Sequence, residues 1–246
     1  MFIRRILPAA LLACTVALPV AAEMTDAERN ELREEIRAYL LENPEVLVEA
    51  MNELQAREEK ASASRDVEMV RTNAEAIFKD ANSWVGGNPD GDITIVEFMD
   101  YRCGYCRKAY EEVDELVKSD GNIRYVVKEF PILGEQSVLS SRFAIAVRQL
   151  HGDAAYKQAY DALITLRGDA TAESLTTVAG KLGLDPAPIL ERMDSDEVTA
   201  VIAANHELAN TLEISGTPTF VIDETMVRGY VPLDGMRQIV AGAREG

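Results

Sequence analysis

Cysteine is nearly absent from this chain: 246 residues contain three, at positions 14, 103 and 106. That scarcity excludes a small fold stapled by several disulfides, and it confines any thiol chemistry to those positions. Histidine is scarcer still, with only His151 and His206, so a histidine-rich metal centre is excluded as well. Both histidines fall in helix-like sequence and are read as surface residues without a role. Positive charge is also short, with 25 Lys and Arg against 42 Asp and Glu and a formal net charge of −17. Such an acidic surface argues against nucleic acid or anionic lipid as partner and for solubility. After Ala22 no apolar run is long enough to cross a membrane.

One apolar stretch does open the chain. Arg4 and Arg5 precede the uncharged run Ile6 to Val20, and Val20-Ala21-Ala22 supplies small residues ahead of Glu23. This is the pattern of an export signal over residues 1–22, interrupted by Pro8 and Pro19 and too short for a comfortable span. Its removal takes Cys14 away and moves the formal charge from −17 to −19, because Arg4 and Arg5 leave with it. A rival reading cuts before Cys14 and acylates it, but Thr15 to Ala22 stays apolar beyond that cysteine. Either way the sequence predicts an exported protein, in a bacterial periplasm where disulfides form.

Residues 23–81 are charged and helix-like. Thr25 or Asp26 can cap a first helix carrying Leu32, Ile36, Tyr39 and Leu40 at helical spacing. Asn43-Pro44-Glu45 reads as the start of a second, with Asn43 as N-cap and an apolar stripe of Val46, Leu47, Ala50, Met51 and Leu54. Ala61-Ser62-Ala63-Ser64 is a linker or a solvated helix, with its Ala, Glu and Lys surroundings favouring helix. The stripe is too narrow to make a core alone and needs a partner, either the following domain or the same segment of another chain. The second is preferred, which predicts a trimer or dimer.

The pattern changes at Asn82. Gly86 to Gly91 is a turn cluster, Ile93 to Met99 a buried strand, Arg107 to Lys118 a helix and Ile123 to Phe130 a second strand, which together suggest a parallel βαβ unit. Helical patterns fill about 134–213. Gly216 to Ile222 resumes the sheet, Met226 to Tyr230 offers a companion strand, and Pro232 to Ala243 a closing helix.

Between the first strand and its helix stands Cys103-Gly104-Tyr105-Cys106. A helix start offers unpaired N–H groups and partial positive charge, which favour a thiolate at the first cysteine. The second lies one turn on, within reach of a disulfide. Zinc would need two further ligands, and a static disulfide across two residues closes too small a loop to stabilise much. Redox exchange is therefore the preferred reading. Tyr105 adds an aromatic contact for a client. Glu97 is either an ordinary strand residue or a proton acceptor for Cys106. The alternative function is a periplasmic Cu(I)-binding or chaperone-like protein using the same thiols, although no Met- or His-rich cluster surrounds them. No cofactor or resident metal is expected.

Phe98 and Cys103-x-x-Cys106 after a strand, a long helical insertion, and then Gly216-Thr217-Pro218-Thr219-Phe220 resemble the DsbA family of periplasmic thiol–disulfide oxidoreductases. The helices around Tyr39 to Glu45 resemble the ScsC-type, copper-tolerance-associated branch, some members of which oligomerise through this extension. The resemblance implies an α/β thioredoxin fold over 82–246 with an inserted helical domain, and an N-terminal helical extension over 23–81. It makes Cys103 the attacking and Cys106 the resolving cysteine, and Pro218 a cis-proline facing them with Thr217 before it. A client would dock against Gly104, Tyr105, Thr217 and Pro218. Glu97, six positions before Cys103, falls where the family often buries an acid. Gly104-Tyr105 departs from the Pro-His pair of the strongest oxidants, which implies a less depressed Cys103 and a milder oxidant. The partners implied are cysteine-containing protein clients and a membrane-bound or soluble redox partner, with isomerase or reductase slightly favoured over oxidase.

Overall fold

The computed structural model describes residues 24–245. The expected export signal and Cys14 lie outside the described residues. The chain divides into two compact units, one up to Ala56 and one from Arg57 onward.

The first unit holds α1 (Asp26–Glu42) and the opening of α2 (Glu45–Thr72). Thr25 caps α1 through a capping box with Glu28, satisfying donors that the first turn leaves unpaired. Asn43 does not act as the N-cap of α2. Its backbone N–H and side-chain amide both donate to Tyr39 O, at 2.8 and 3.0 Å, so it closes α1 instead. No residue of α1 is buried. Leu32, Ile36 and Tyr39 on α1, and Leu47, Met51 and Leu54 on α2, remain between 47% and 70% exposed.

The second unit is built on a five-stranded sheet in the order β1-β3-β2-β4-β5, with β1 Trp84–Gly87, β2 Ile93–Met99, β3 Ile123–Glu129, β4 Thr219–Ile222 and β5 Thr225–Arg228. β2 and β3 are parallel, joined through α4 (Gly104–Asp120), and the other pairings are antiparallel. The near-continuous apolar runs of β2 and β3 follow from burial on both faces. One face carries Ile93, Ile95, Met99, Tyr125 and Val127. It packs on α4, on α5 (Glu135–His151) and α6 (Asp153–Ile164), and on α10 (Leu233–Glu245). The smaller helices α7 (Ala172–Lys181) and α8 (Pro186–Met193) complete that cluster. The opposite face carries Val96, Phe98 and Val126. It packs on the end of α2, on α3 (Ala74–Phe78) and on the end of α9 (Asp196–Thr211).

Three sequence expectations change here. The extension grouped as residues 23–81 does not act as one piece: Val70 and Ile77 are fully buried against Val96 and Phe98, the packing on the following domain that the sequence reading kept as its less preferred alternative. Lys128, itself 1% exposed, donates to Ala76 O and to Asp80, which fastens α3 to β3. Residues 57–81 thus belong to the sheet unit. Secondly, Gly86 and Gly87 close a short edge strand before they turn. A Cβ at Gly87 would meet Ile123 O at 2.3 Å, and its φ of +67° suits glycine, so the residues that read as turn are also those that let β1 lie close to β3. Thirdly, α4 begins at Gly104 rather than Arg107.

Candidate active site

β2 ends at Met99, and the next four residues turn the chain into α4. Asp100 organises the turn. Its carboxylate accepts from the N–H groups of Arg102, Ile132 and Leu133 and from the Ser137 hydroxyl, at 2.7 to 3.0 Å. Asp100 O also accepts from the Cys103 N–H. Fully buried yet fully paired, it ties the cysteine loop to the loop after β3.

Cys103 is the N-cap of α4, in extended conformation, and makes no side-chain capping bond. Cys103 and Cys106 are free thiols, 7% and 1% exposed. Cys103 Sγ lies 3.1 Å from Thr217 O, to which the thiol form donates. The thiolate form is favoured first by the Cys106 thiol, then by the Thr217 side chain and the backbone N–H groups of Cys106 and Tyr105. Against partial burial, these pull Cys103 down to about 5. Cys106 is pushed far up, first by burial and then by its bond to Cys103 and the Glu97 charge. One sulfur is held ready as a thiolate while the other keeps its proton.

The Thr217–Pro218 peptide bond is cis, the form the resemblance implied. Beside it, Gly229 N donates to Pro218 O, and Thr219 Oγ1 donates to Gly216 O. Tyr105 is 62% exposed and stacks on Tyr230 with ring centroids 6.0 Å apart, while Lys108 lies 4.3 Å over the Tyr230 ring. A Cβ added at Gly104 would meet nothing within 4 Å, so the surface beside Cys103 is open. The structure therefore brings Cys103, Cys106, Thr217, Glu97 and Tyr105 to one end of the sheet.

Glu97 is 2% exposed, so it is not an exposed strand residue. Burial raises its carboxyl to about 7, against a hydrogen bond from the Tyr125 hydroxyl that lowers it. Sequence reading passed over Tyr125. The register explains its position: Glu97 pairs with Val127, so Tyr125, two residues earlier on β3, points to the same face. It also passed over a second buried acid, Glu129. Glu129 Oε1 accepts from Tyr101 at 2.8 Å and from Tyr156 at 2.6 Å, and burial raises this carboxyl also to about 7. Asp100 had one available signal, an acid between a buried strand and a cysteine pair. His206 packs its ring on Phe130 at 4.8 Å, away from the sulfurs' partners. No group of three metal-ligating side chains occurs among the described residues.

Comparison with known proteins agrees with this geometry. Residues 94–241 match the DSBA-like thioredoxin domain, and residues 28–61 match the copper resistance protein ScsC N-terminal domain. A thioredoxin-like oxidoreductase from Silicibacter pomeroyi DSS-3 is 41% identical, covers 70% of this chain and 98% of its own, and superposes with a TM-score of 0.66. BcfH of Salmonella enterica Typhimurium is 25% identical, covers 87% of this chain and 95% of its own, and gives a TM-score of 0.73. Among curated relatives, Na(+)/H(+) antiporter NhaA 1 of Salinispora arenicola is 28% identical over 163 residues, which is 66% of this chain and 25% of that protein. The chain thus spans about a quarter of the length of the antiporters it matches. No helix among the described residues is long and apolar enough to cross a membrane. With a family match over more than half its length and a cysteine pair set at a helix start, the chain belongs to the DSBA-like thioredoxin domain family of thiol–disulfide exchange proteins.

Proposed function

We propose that this chain is an exported thiol–disulfide interchange protein acting on cysteine-containing protein clients, with isomerase or reductase activity favoured over oxidase. The observation that carries the reading is the division of labour between the sulfurs: a stabilised Cys103 at the N-cap and a buried, protonated Cys106 one turn behind. In the reducing direction the Cys103 thiolate attacks a client disulfide. The client S–S bond breaks, one client sulfur leaves as a thiolate, and a mixed disulfide remains. Cys106 then attacks Cys103 Sγ and gives its proton to Glu97, and the second client sulfur leaves. The two electrons of the dithiol end on the client. In isomerisation a client thiolate, rather than Cys106, resolves the mixed disulfide. The Thr217 carbonyl, Pro218, Gly104 and the Tyr105 ring form the wall against which an extended client docks.

The N-terminal unit bears on direction. The exposed apolar side chains of α1 and α2 call for a partner, each worth about 1.5–3 kcal/mol when fully buried, and the match of residues 28–61 to an ScsC N-terminal domain supports self-association as a trimer or dimer. Several sites on one assembly suit isomerisation and hinder recycling by an oxidase partner. A periplasmic location follows from the signal reading of residues 1–22. The domain named for copper resistance keeps a second reading in play, Cu(I) held by the same two thiols.

Cys103→Ala should abolish insulin reduction and the refolding of scrambled ribonuclease, and Cys106→Ala should accumulate mixed disulfides. Retained activity in the first variant overturns the assignment. Sedimentation of the full mature chain against a variant carrying Leu47→Glu, Met51→Glu and Leu54→Glu tests the assembly, and a monomer in both cases removes it. Stoichiometric copper binding without catalysis would favour the second reading.

A further inference from the structure

Proton traffic at Cys106 needs a route, because both Cys106 and Glu97 are closed to solvent at 1% and 2% exposure. When Cys106 attacks the mixed disulfide it must lose a proton, and when it leaves as a thiolate it must regain one. Glu97 can hold that proton, but a second turnover requires Glu97 to exchange it with water. The groups on its path are visible. The Tyr125 hydroxyl donates to Glu97 Oε2. Tyr125 also lines a cavity of about 400 Å³ between β1, α4 and α6. Lys118 and Gly121 on its rim are exposed, and Tyr110, Asp114, Lys157 and Tyr160 bring polar groups to its wall. The wall is mainly apolar, so water enters from the exposed rim and is held by these few polar groups rather than filling the space.

We propose that Tyr125 is the proton relay between Glu97 and the water of this cavity. The proposal rests on the exchange chemistry assigned above to Cys103 and Cys106. In resolution, the Cys106 proton passes to the Glu97 carboxylate. Protonated Glu97 then gives a proton to the Tyr125 oxygen as Tyr125 gives its own to a cavity water. The phenol is neutral before and after, Glu97 is again a carboxylate, and the water carries the charge away. Run backwards, the path returns a proton to Cys106 when a client thiolate displaces it. Tyr125 acts through Glu97 and does not touch the sulfurs. Its ring packs edge-on against Trp84 at 6.1 Å, a contact that Tyr125→Phe retains while the donor is lost.

Rapid mixing of the reduced full chain with excess glutathione disulfide separates two phases. The second-order phase reports attack by Cys103, and the first-order phase reports resolution by Cys106. Loss of a general acid–base group slows a step by about 10²–10⁴-fold, and loss of a relay behind it should slow the first-order phase by about tenfold or more. In Glu97→Gln, adding Tyr125→Phe should slow resolution no further, since the relay has nothing left to serve. Val117→Phe, which fills the cavity from α4, should slow the same phase without touching Glu97. A first-order phase within twofold of wild type in Tyr125→Phe overturns the relay. So does a double variant slowed by the product of the two single effects, which is the behaviour of a merely structural tyrosine. Should Tyr125→Phe lose its fold by circular dichroism, the Val117→Phe result decides, and normal resolution there overturns the proposal. Absence of any Cys103-dependent second-order phase in the wild type instead overturns the exchange reading itself.

Discussion

Replacing Glu97 by Gln should reverse the sign of an ordinary carboxylate effect. Most surface acids favour folding more as pH rises; Glu97 must do the opposite. Burial raises its folded carboxyl from 4.5 to about 7, while the unfolded chain returns it to the ordinary range. Below about 4.5 both states are protonated and the group imposes no penalty. Between 4.5 and 7 the unfolded chain releases the proton and the folded one keeps it, so stability falls with pH. Above 7 the loss is complete. At about 1.4 kcal/mol per pH unit, the displacement corresponds to about 3 kcal/mol. Gln has nearly the same shape and can still accept from Tyr125, but it cannot ionise.

The expected outcome follows directly. Urea unfolding of the reduced protein should place wild type and Glu97→Gln close together at pH 4.5, where Glu97 is neutral. At pH 8 the variant should be more stable by about 3 kcal/mol, with unchanged m-value. The Cys103 thiolate changes stability with pH too, but it is common to both proteins and largely cancels in the difference. An equal difference at the two pH values would refute the reasoning, because it would mean that Glu97 ionises alike in the folded and unfolded chains.

The neighbouring groups give further expectations. Thiolate absorbance of the wild type against Cys103→Ala should titrate near pH 5, and a midpoint near that of a free cysteine would remove the stabilisation by the Cys106 thiol, the Thr217 side chain and the helix start together. Asp100→Ala strands the three N–H groups and one hydroxyl that the carboxylate receives, so it should destabilise by about 3 kcal/mol or more and broaden the loop signals around Cys103 in amide exchange; unchanged exchange there would show that Asp100 does not hold the turn. Glu129→Gln should flatten the fall of stability between pH 4.5 and 7 as Glu97→Gln does, since the same burial lifts it, and an unaltered slope would argue that its tyrosine cage holds it ionised.

Much of this was legible in the sequence, for reasons that differ by element. β2 and β3 announced themselves because strands buried on both faces need unbroken apolar runs. The cysteine pair was legible because strand, Cys-x-x-Cys and helix are contiguous; the carboxylate at 97 was picked out only by the resemblance, because alternation left its side of the strand open. β1 was not legible: Trp84-Val85-Gly86-Gly87 has two residues that weaken strands, and its pairing depends on the close approach that glycine permits. The attachment of residues 57–81 to the sheet was hidden for a related reason. A helix with one apolar stripe says that it packs, not on what. Val67, Val70 and Ile77 continue the same kind of stripe as Leu47 and Met51, yet Val70 and Ile77 are buried and Leu47 and Met51 are not. Tyr125 and Glu129 became visible only once the parallel register with β2 set their face, because that pairing is a long-range fact.

The same register bears on which way the exchange runs. Around neutral pH Cys103 is a thiolate, Cys106 a thiol, and Glu97 near its midpoint. An acid far below its midpoint could only give protons, which would favour departure of Cys106 and oxidation of clients. A base far above its midpoint could only take them, favouring resolution and reduction. A carboxyl raised to about 7 by burial does both with little change in driving force, the condition in which acid–base assistance serves each direction. The Gly104-Tyr105 pair supplies no further charge to hold the Cys103 thiolate, so what favours the reduced form is the Cys106 thiol, the Thr217 side chain and the helix-start N–H groups that bring Cys103 to about 5. The direction of flux is then left to whatever keeps the pair reduced or oxidised, and to whether several sites face one client. On the proposed function, the assembly state of the N-terminal helices is therefore the property whose measurement should separate an isomerase from an oxidase.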